Sequence, residues 1–220
     1  MTDGPGIFGY YPGNKRYGTA STIAALREVG RIWNLRRSTP RVGVGDISLQ
    51  GGGDIDGHAS HETGRDVDMR PMKNDGTEGP ATWAQPKYSR LLTQELIDII
   101  YANGIVKVNV VGFNDPGIEG CVHWDNHDNH LHVRFSFEDE GAGYPVLRLG
   151  QHNSPPVREF QRRLNVWMTK TGGGPSLTPD GDFGQGTLNA VKSFQTAMGL
   201  GSDGLVGNDT WKKSLGFIVP

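Results

Sequence analysis

The histidines of this chain concentrate in two short runs, and these runs constrain the fold more than any other feature. Residues 57–68 and 127–134 together hold five of the seven histidines. In the second run, His130 and His132 alternate with apolar residues, so a strand there would direct both imidazoles to one face and the apolar side chains to the other. The sequence therefore predicts a strand that carries two histidines above a buried sheet face.

A second strand is predicted at the end of the first run, where Asp66 and Asp68 also alternate with apolar residues. Catalytic zinc usually takes three protein ligands from imidazole and carboxylate groups and keeps a fourth position for water. His61, Asp68 and His132 supply such a set. The alternative is that these histidines are solvated loop residues that happen to stand beside aspartates.

The two runs are similar to those of a known family. The spacing His-x6-Asp followed by His-x-His resembles the superfamily of lysostaphin-type and D-Ala-D-Ala metallopeptidases. The longer string Gly-His-Ala-Ser-His-x-Thr-Gly-x-Asp-Val-Asp resembles its penicillin-insensitive murein endopeptidase branch. The resemblance implies a zinc ion with three ligands, which are His61, Asp68 and His132. It also implies that His130 acts as general base or transition-state stabiliser, and that His58 and His127 are further active-site histidines.

The activity implied by this resemblance is hydrolysis of the peptide cross-links of bacterial peptidoglycan. The murein-endopeptidase string favours the D-Ala–diaminopimelate bond. Other members of the superfamily cut between L-Ala and D-Glu or act on D-Ala-D-Ala, so these specificities stay open. A rival from another class is a non-catalytic wall-binding or virion structural protein with a metal-stabilised fold. The additional histidines His58, His127 and His130 argue against this alternative. A structural zinc site tends to be closed by four ligands and would not need further histidines beside it.

Several loop residues are expected to lie near the site. Gly51-Gly52-Gly53 is interpreted as a loop at the mouth of the metal site, and Asp46 and Ser48 as residues that shape it. A metal-bound imidazole normally donates its second N–H to a carboxylate or a carbonyl. Three residues are candidates for that role, namely Asp66, Asp125 and Asp128.

Residues 1–140 are predicted to form an α+β domain with a mainly antiparallel sheet and flanking helices. An irregular arm is expected over 1–18. Periodicity predicts a first helix capped by Ser21 or Thr22 and ending near Asn34, and a second helix from about Leu92 to the stop at Asn103-Gly104. Strands are predicted over 41–48 and 105–111.

The C-terminal part contains an internal repeat. Asp180-Gly181 and Asp203-Gly204 open two copies of the pattern Asp-Gly-x-apolar-Gly-x-x-Thr-apolar. Three amphipathic helices are predicted here, so residues 147–220 are expected to form a small three-helix bundle after a linker at 141–146. The repeat resembles the peptidoglycan-binding domain that many wall hydrolases carry. A bundle of another kind is the alternative.

The composition excludes several classes of function. The net charge of −2 gives no basic field for nucleic acid, although residues 146–220 hold 8 Lys and Arg against 5 Asp and Glu, which suits an anionic wall polymer. Cys121 is the single cysteine, so it cannot form an internal disulfide, and it is interpreted as a buried, inert thiol. There is no apolar run of 18 residues, which excludes a membrane span.

The first residues, Met1 to Gly6, do not have the pattern of a secretory signal. A wall hydrolase without such a signal would reach its substrate through a membrane pore at lysis. The sequence therefore leads us to expect a monomeric phage endolysin, held in the host cytoplasm until lysis and then acting in the cell wall or periplasm.

Overall fold

The computed structural model describes residues 1–11, 13–137 and 143–219. Residues 141 and 142 of the predicted linker, and residue 140 at the end of the predicted first domain, lie outside these ranges. No helix in the described part of the chain is both long and apolar enough to cross a membrane.

The described residues of the N-terminal region form five strands and two α-helices, besides a 3₁₀ turn at Gly13–Lys15. In chain order they are β1 (Ile7–Gly9), α1 (Ala20–Arg36), β2 (Val42–Val44), β3 (Asp66–Met69), α2 (Arg90–Tyr101), β4 (Val108–Gly112) and β5 (Leu131–Phe135). The strands form one sheet in the order β1-β2-β3-β5-β4. The β1–β2 pair is parallel and the other three pairs are antiparallel. The predicted α+β class with a mainly antiparallel sheet is confirmed.

The register of β3 against β5 places the two histidine-bearing segments side by side. Asp68 lies opposite His132, and Asp66 lies opposite Arg134. Because side chains alternate along a strand, these polar residues share one face of the sheet. Val67 and its partner Val133 are fully buried on the other face. The alternation of apolar and polar residues in β3 and β5 therefore determines how the two strands pair. It also determines the face of the sheet on which their polar side chains meet.

Helices α1 and α2 supply the core of this region. Leu26, Ile32 and Trp33 of α1 are fully buried, and each such side chain contributes about 1.5–3 kcal/mol through removal from water. The α1 helix begins earlier than predicted, because Thr19 rather than Ser21 or Thr22 is its N-cap and accepts a hydrogen bond from the Thr22 N–H. Helix α2 ends at Tyr101 with Ala102 as its C-cap, so the helix stops just before the predicted Asn103-Gly104.

Three further expectations for this region are wrong. The segment predicted as an irregular arm contains β1, which gains its hydrogen bonds by parallel pairing with β2. The strand predicted over 41–48 is only Val42–Val44 long. The glycines at 51–53 do not line the site described below. They instead brace the loop that carries His61, since the Gly53 N–H donates to the Glu62 carbonyl at 3.1 Å.

The C-terminal region contains the three predicted helices, α3 (Pro155–Thr171), α4 (Gln185–Ala197) and α5 (Asn208–Ser214). The internal repeat is explained by two glutamines. Gln161 donates to Asp180 Oδ1 at 2.9 Å and to Thr187 Oγ1 at 3.1 Å. Gln195 makes the corresponding bonds in the second copy, to Asp203 at 2.9 Å and to Thr210 at 3.4 Å. Each glutamine thus ties an Asp-Gly turn to the start of the helix that follows it.

The C-terminal helices pack directly on the N-terminal region through buried ion pairs. Glu159 of α3 is fully buried and accepts hydrogen bonds from Arg36 of α1 at 2.8 and 2.9 Å. Asp98 of α2 accepts from Arg158 at 3.1 Å and from Arg162 at 2.7 Å. Buried ion pairs therefore connect the two regions that the sequence predicts as separate domains.

Candidate active site

The polar face of the sheet opens into a cleft of about 1010 Å³. Strands β3 and β5 form its floor, and the loops at 57–61 and 124–130 form two of its walls. All six predicted site residues line this cleft, namely His58, His61, Asp68, His127, His130 and His132. The roles assigned to them from the sequence stay predictions, but the fold does bring them together.

Three of these residues converge on one point. His61 Nε2 lies 3.2 Å from Asp68 Oδ1, His132 Nδ1 lies 3.4 Å from the same oxygen, and the two nitrogens are 3.3 Å apart. Three atoms at about 2.0–2.1 Å from a tetrahedral zinc ion would lie about 3.3–3.4 Å from one another. The spacing of the three side chains therefore fits a common metal ion.

The outer nitrogens of both imidazoles face acceptors. His61 Nδ1 lies 3.2 Å from the Ile47 carbonyl, and His132 Nε2 lies 2.8 Å from Asp66 Oδ1. An acceptor requires the proton on the nitrogen that faces it, so in neutral imidazoles the inner nitrogens carry lone pairs. Asp66, one of the three candidates from the sequence, is thus the carboxylate that orients His132. It also accepts from Arg134 at 2.6 Å.

The charges around this point favour a cation. Asp68 Oδ1 is buried and accepts no hydrogen bond from any described residue. Burial raises the pKa of Asp68, but the imidazoles of His132 and His61 lower it more, and the net pKa is well below the ordinary value. Burial lowers the pKa of His132, whereas Asp66 and Asp68 raise it, and the net shift is upward. The ionised carboxylate and the two imidazoles beside it therefore form a site for positive charge, in which a metal ion would take the place of a proton on an inner nitrogen.

His58 approaches the other oxygen of the same carboxylate. Its Nδ1 lies 3.8 Å from Asp68 Oδ2, and its Nε2 lies 3.1 Å from Asp46 Oδ2. His58, His61 and Asp68 also place one ligand atom each within 4.8 Å of one another, so His58 is a further potential ligand. Asp46 shapes the site as expected, because it holds His58.

His130 stands above the converging atoms. Its Nε2 lies 3.7 Å from Asp68 Oδ1, and its Nδ1 lies 2.7 Å from Asn129 Oδ1. Burial lowers the pKa of His130 to about 4, although the Asp68 charge opposes this shift. A neutral imidazole at this position can accept a proton from a group bound over Asp68. The ring of His127 packs on that of His130 with 4.6 Å between the centroids.

Asp128, a candidate for orienting a histidine, lies outside the cleft, as do Trp83, His123 and Cys121. Asp128 accepts hydrogen bonds from Trp83 at 2.9 Å and from Asn114 at 3.1 Å, so it anchors a loop and does not orient a histidine. Trp83 packs on the core rather than lining the cleft. His123 is exposed outside the cleft. Burial raises the pKa of the Cys121 thiol to about 12, which agrees with an inert cysteine.

Part of the cleft wall was not predicted. Tyr10, Tyr11 and Lys15 of the N-terminal segment line it, together with Arg70 and Trp124. The Trp124 ring lies 5.2 Å from that of His132. Arg70 had a signal in the sequence, because it stands two residues after Asp68, directly beyond the end of β3. The N-terminal residues had none, since they reach the site through the pairing of β1 with β2 and through hydrogen bonds from the Ile47 and Ser48 N–H groups to the Lys15 carbonyl.

The chain thus has two parts. The first is an α+β region whose cleft is lined by histidines and holds a cluster of His and Asp side chains, as in the active site of an enzyme. The second is a three-helix bundle. Comparison with known families gives the same division. Residues 11–103 match the family of penicillin-insensitive murein endopeptidases, and residues 153–213 match a peptidoglycan binding domain family. No curated protein matches the chain.

These two matches confirm the resemblance found in the sequence, and together they support a peptidase that hydrolyses peptidoglycan. The first match contains His58, His61 and Asp68 but ends before β5. His132 is thus joined to the matched segment by the fold, through the pairing of β5 with β3.

Proposed function

We propose that this protein is a zinc-dependent endopeptidase that cuts the peptide cross-links of bacterial peptidoglycan, with the D-Ala–diaminopimelate bond as its target. The observation that carries the proposal is the convergence of three acceptor atoms from His61, Asp68 and His132 within 3.4 Å at the floor of a cleft. A divalent ion would take the place of protons on the inner nitrogens and so stabilise the set.

In this proposal the residues of the cleft have separate roles in metal binding, in orientation of the ligands and in proton transfer. His61, Asp68 and His132 would hold the zinc, which when bound polarises a scissile carbonyl and lowers the pKa of a bound water. Asp66 and the Ile47 carbonyl fix the orientation of the two imidazoles. His130 is placed to accept the proton that the attacking water loses, because its Nε2 lies 3.7 Å from Asp68 Oδ1 inside the cleft. His58 and His127 flank the same space and can donate hydrogen bonds to the developing oxyanion.

A non-catalytic role is the second candidate, in which the metal would only stabilise the fold. The shape of the site argues against it. The three converging side chains border a cleft of about 1010 Å³, and His130 and His127 remain beside them in that cleft. A structural zinc site would instead be closed by a fourth protein ligand. His58 does not close the set, because its Nδ1 lies 3.8 Å from Asp68 Oδ2 while its Nε2 lies 3.1 Å from Asp46 Oδ2.

The decisive experiment uses purified, cross-linked peptidoglycan. The zinc-loaded protein is expected to lower the turbidity of a wall suspension, a chelator is expected to stop this, and added zinc is expected to restore it. Mass spectrometry of the soluble fragments should show cross-linked dimers converted to monomers that end in D-Ala. If zinc-loaded protein released no fragments, the proposed enzymatic activity would be refuted. Fragments cut at L-Ala–D-Glu or at D-Ala-D-Ala would show that the enzyme cleaves that bond and not the proposed one.

Asp66→Asn is expected to weaken zinc binding by about 10- to 100-fold, because the amide no longer supplies the anionic acceptor that orients His132. The measurement is a competitive zinc titration with a chromophoric chelator. Asp75→Asn is the matched control, since Asp75 is an exposed carboxylate in a remote loop. Equal zinc affinity in the wild type and Asp66→Asn would contradict the role assigned to Asp66.

The C-terminal region is proposed to bind the wall and so raise the local concentration of the enzyme on an insoluble substrate. Action as a monomeric phage lysin, confined to the host cytoplasm until lysis, stays a prediction. The test is to express the protein in a bacterial host with and without a protein that forms a membrane pore. We expect the cells to lyse only when the pore is present.

A further inference from the structure

Arg70 is a cationic residue of the cleft that the proposed chemistry does not use. It follows β3 directly and stands two residues beyond Asp68, so alternation places its side chain on the same face of the sheet as Asp66 and Asp68. It lines the same cleft as the histidines. Two residues along an extended chain correspond to about 7 Å, so a peptide bound over Asp68 would have its neighbouring groups within reach of this side chain.

The position of the Arg70 guanidinium is fixed by its surroundings. Its carbon Cζ lies 4.0 Å from the centre of the Tyr10 ring and 5.8 Å from that of Tyr11. The Arg70 backbone N–H donates to the Gly43 carbonyl at 3.0 Å. Gly43 leaves room for the stem of the side chain, because a Cβ there would come within 2.9 Å of Arg70 Cγ. The cation–π contact with Tyr10 holds the guanidinium in place at the wall of the cleft.

Arg70 has no acidic partner among the residues that the structure describes. None of the ion pairs or side-chain hydrogen bonds found there involves its guanidinium, and its Nε is buried without an acceptor. The other two cations of the cleft are already paired: Arg134 with Asp66 at 2.6 Å, and Lys15 with Asp46 at 3.7 Å. A buried, unpaired donor on a positioned guanidinium is costly unless a ligand satisfies it.

We infer that Arg70 binds a free carboxylate of the substrate stem peptide and so selects substrates that carry this charge near the scissile bond. The inference rests on the proposed function and names a specificity residue for it. The planar guanidinium matches a carboxylate through two parallel hydrogen bonds, which an amide in the same place cannot reproduce. Cross-linked stem peptides offer two sources of such a carboxylate, namely diaminopimelate and D-glutamate.

The test compares three soluble cross-linked muropeptides: one with both carboxylates free, one amidated at diaminopimelate, and one amidated at glutamate. For the wild type, amidation of the recognised carboxylate is expected to lower kcat/KM by about 10- to 100-fold, and amidation of the other is expected to change it little. Arg70→Gln should lose a similar factor on the unamidated substrate, but less than about 3-fold on the substrate whose recognised carboxylate is already amidated.

Two variants complete the design. Arg70→Lys keeps the charge but not the fork, so it should retain part of the preference for the free carboxylate. Arg31→Gln is the matched control, because Arg31 is an exposed residue of α1 that pairs with Glu28 outside the cleft. It should leave kcat/KM on all three substrates unchanged. Zinc content is measured for every variant, so that a loss of fold is separated from a loss of recognition.

The outcomes distinguish this inference from the proposed function. An active wild type that is indifferent to both amidations would overturn the role of Arg70 alone. Equal losses for Arg70→Gln on all three substrates would do the same. A wild type that cleaves none of the three substrates when loaded with zinc would contradict the proposed function, and the inference with it.

Discussion

His132→Ala is expected to lose zinc and peptidoglycan hydrolysis together, whereas His130→Ala is expected to keep zinc and lose turnover. His132 supplies one of three converging acceptor atoms, and its removal leaves Asp68 and His61 as the remaining pair. Metal polarisation is worth several kcal/mol of transition-state stabilisation, so activity should fall by at least about 10³-fold. Metal content measured by mass spectrometry, beside release of soluble fragments from walls, checks this result.

His130 should behave differently because it does not belong to the converging set. Its Nε2 lies 3.7 Å from Asp68 Oδ1, and it contributes a neutral imidazole at the cleft. Loss of a general base lowers kcat by about 10²- to 10⁴-fold, while the zinc stoichiometry should remain that of the wild type.

His152→Ala is a suitable control for both variants, since His152 is an exposed histidine of the C-terminal region. Loss of zinc from His130→Ala, or retention of both zinc and activity in His132→Ala, would reverse the assignment of the two residues.

Glu159→Ala is expected to lower the free energy of unfolding by about 3–5 kcal/mol, because it leaves buried guanidinium groups without their carboxylate. Glu159 is fully buried and accepts from Arg36 and from Arg163, with each shortest bond at 2.8 Å. Burial raises the pKa of Glu159, but Arg36 and Arg163 lower it more, to about 2. The carboxylate is therefore ionised across the neutral range and bound to cations of both regions.

Urea unfolding followed by tryptophan fluorescence and by circular dichroism measures this loss. Glu28→Ala is the control, since Glu28 pairs with an exposed arginine on the surface of α1, where such pairs contribute at most about 1 kcal/mol. A loss in Glu159→Ala no larger than that of the control would mean that the two regions are not coupled through this group. Two separate unfolding transitions in the wild type would lead to the same conclusion.

Local periodicity was sufficient to predict the segments that carry the site. The alternation around His132 and Asp68 predicted β5 and β3, and their apolar faces allow only one register that buries Val67 against Val133. The helices were also predictable, because amphipathic patterns and caps are local signals. Three residues far apart in the chain could thus be grouped before any contact between them was known.

Features that depend on distant partners were not predictable. The residues of β1 are few and stand beside Gly and Pro, so nothing local distinguishes them from a loop; their order comes from pairing with β2. The cleft wall formed by Tyr10 and Lys15 was missed for that reason. Likewise, Glu159 resembles a solvated residue of an amphipathic helix, and only the packing of α3 on α1 and α2 shows that it is buried.

The packing of α3 on the N-terminal region limits how the C-terminal helices can be replaced by a wall-binding domain from another protein. Arg36 and Asp98 would face a foreign helix without the complementary charges that Glu159, Arg158 and Arg162 provide. A successful chimaera must carry these three residues across with the graft, or replace both halves of the contact by apolar side chains of similar volume.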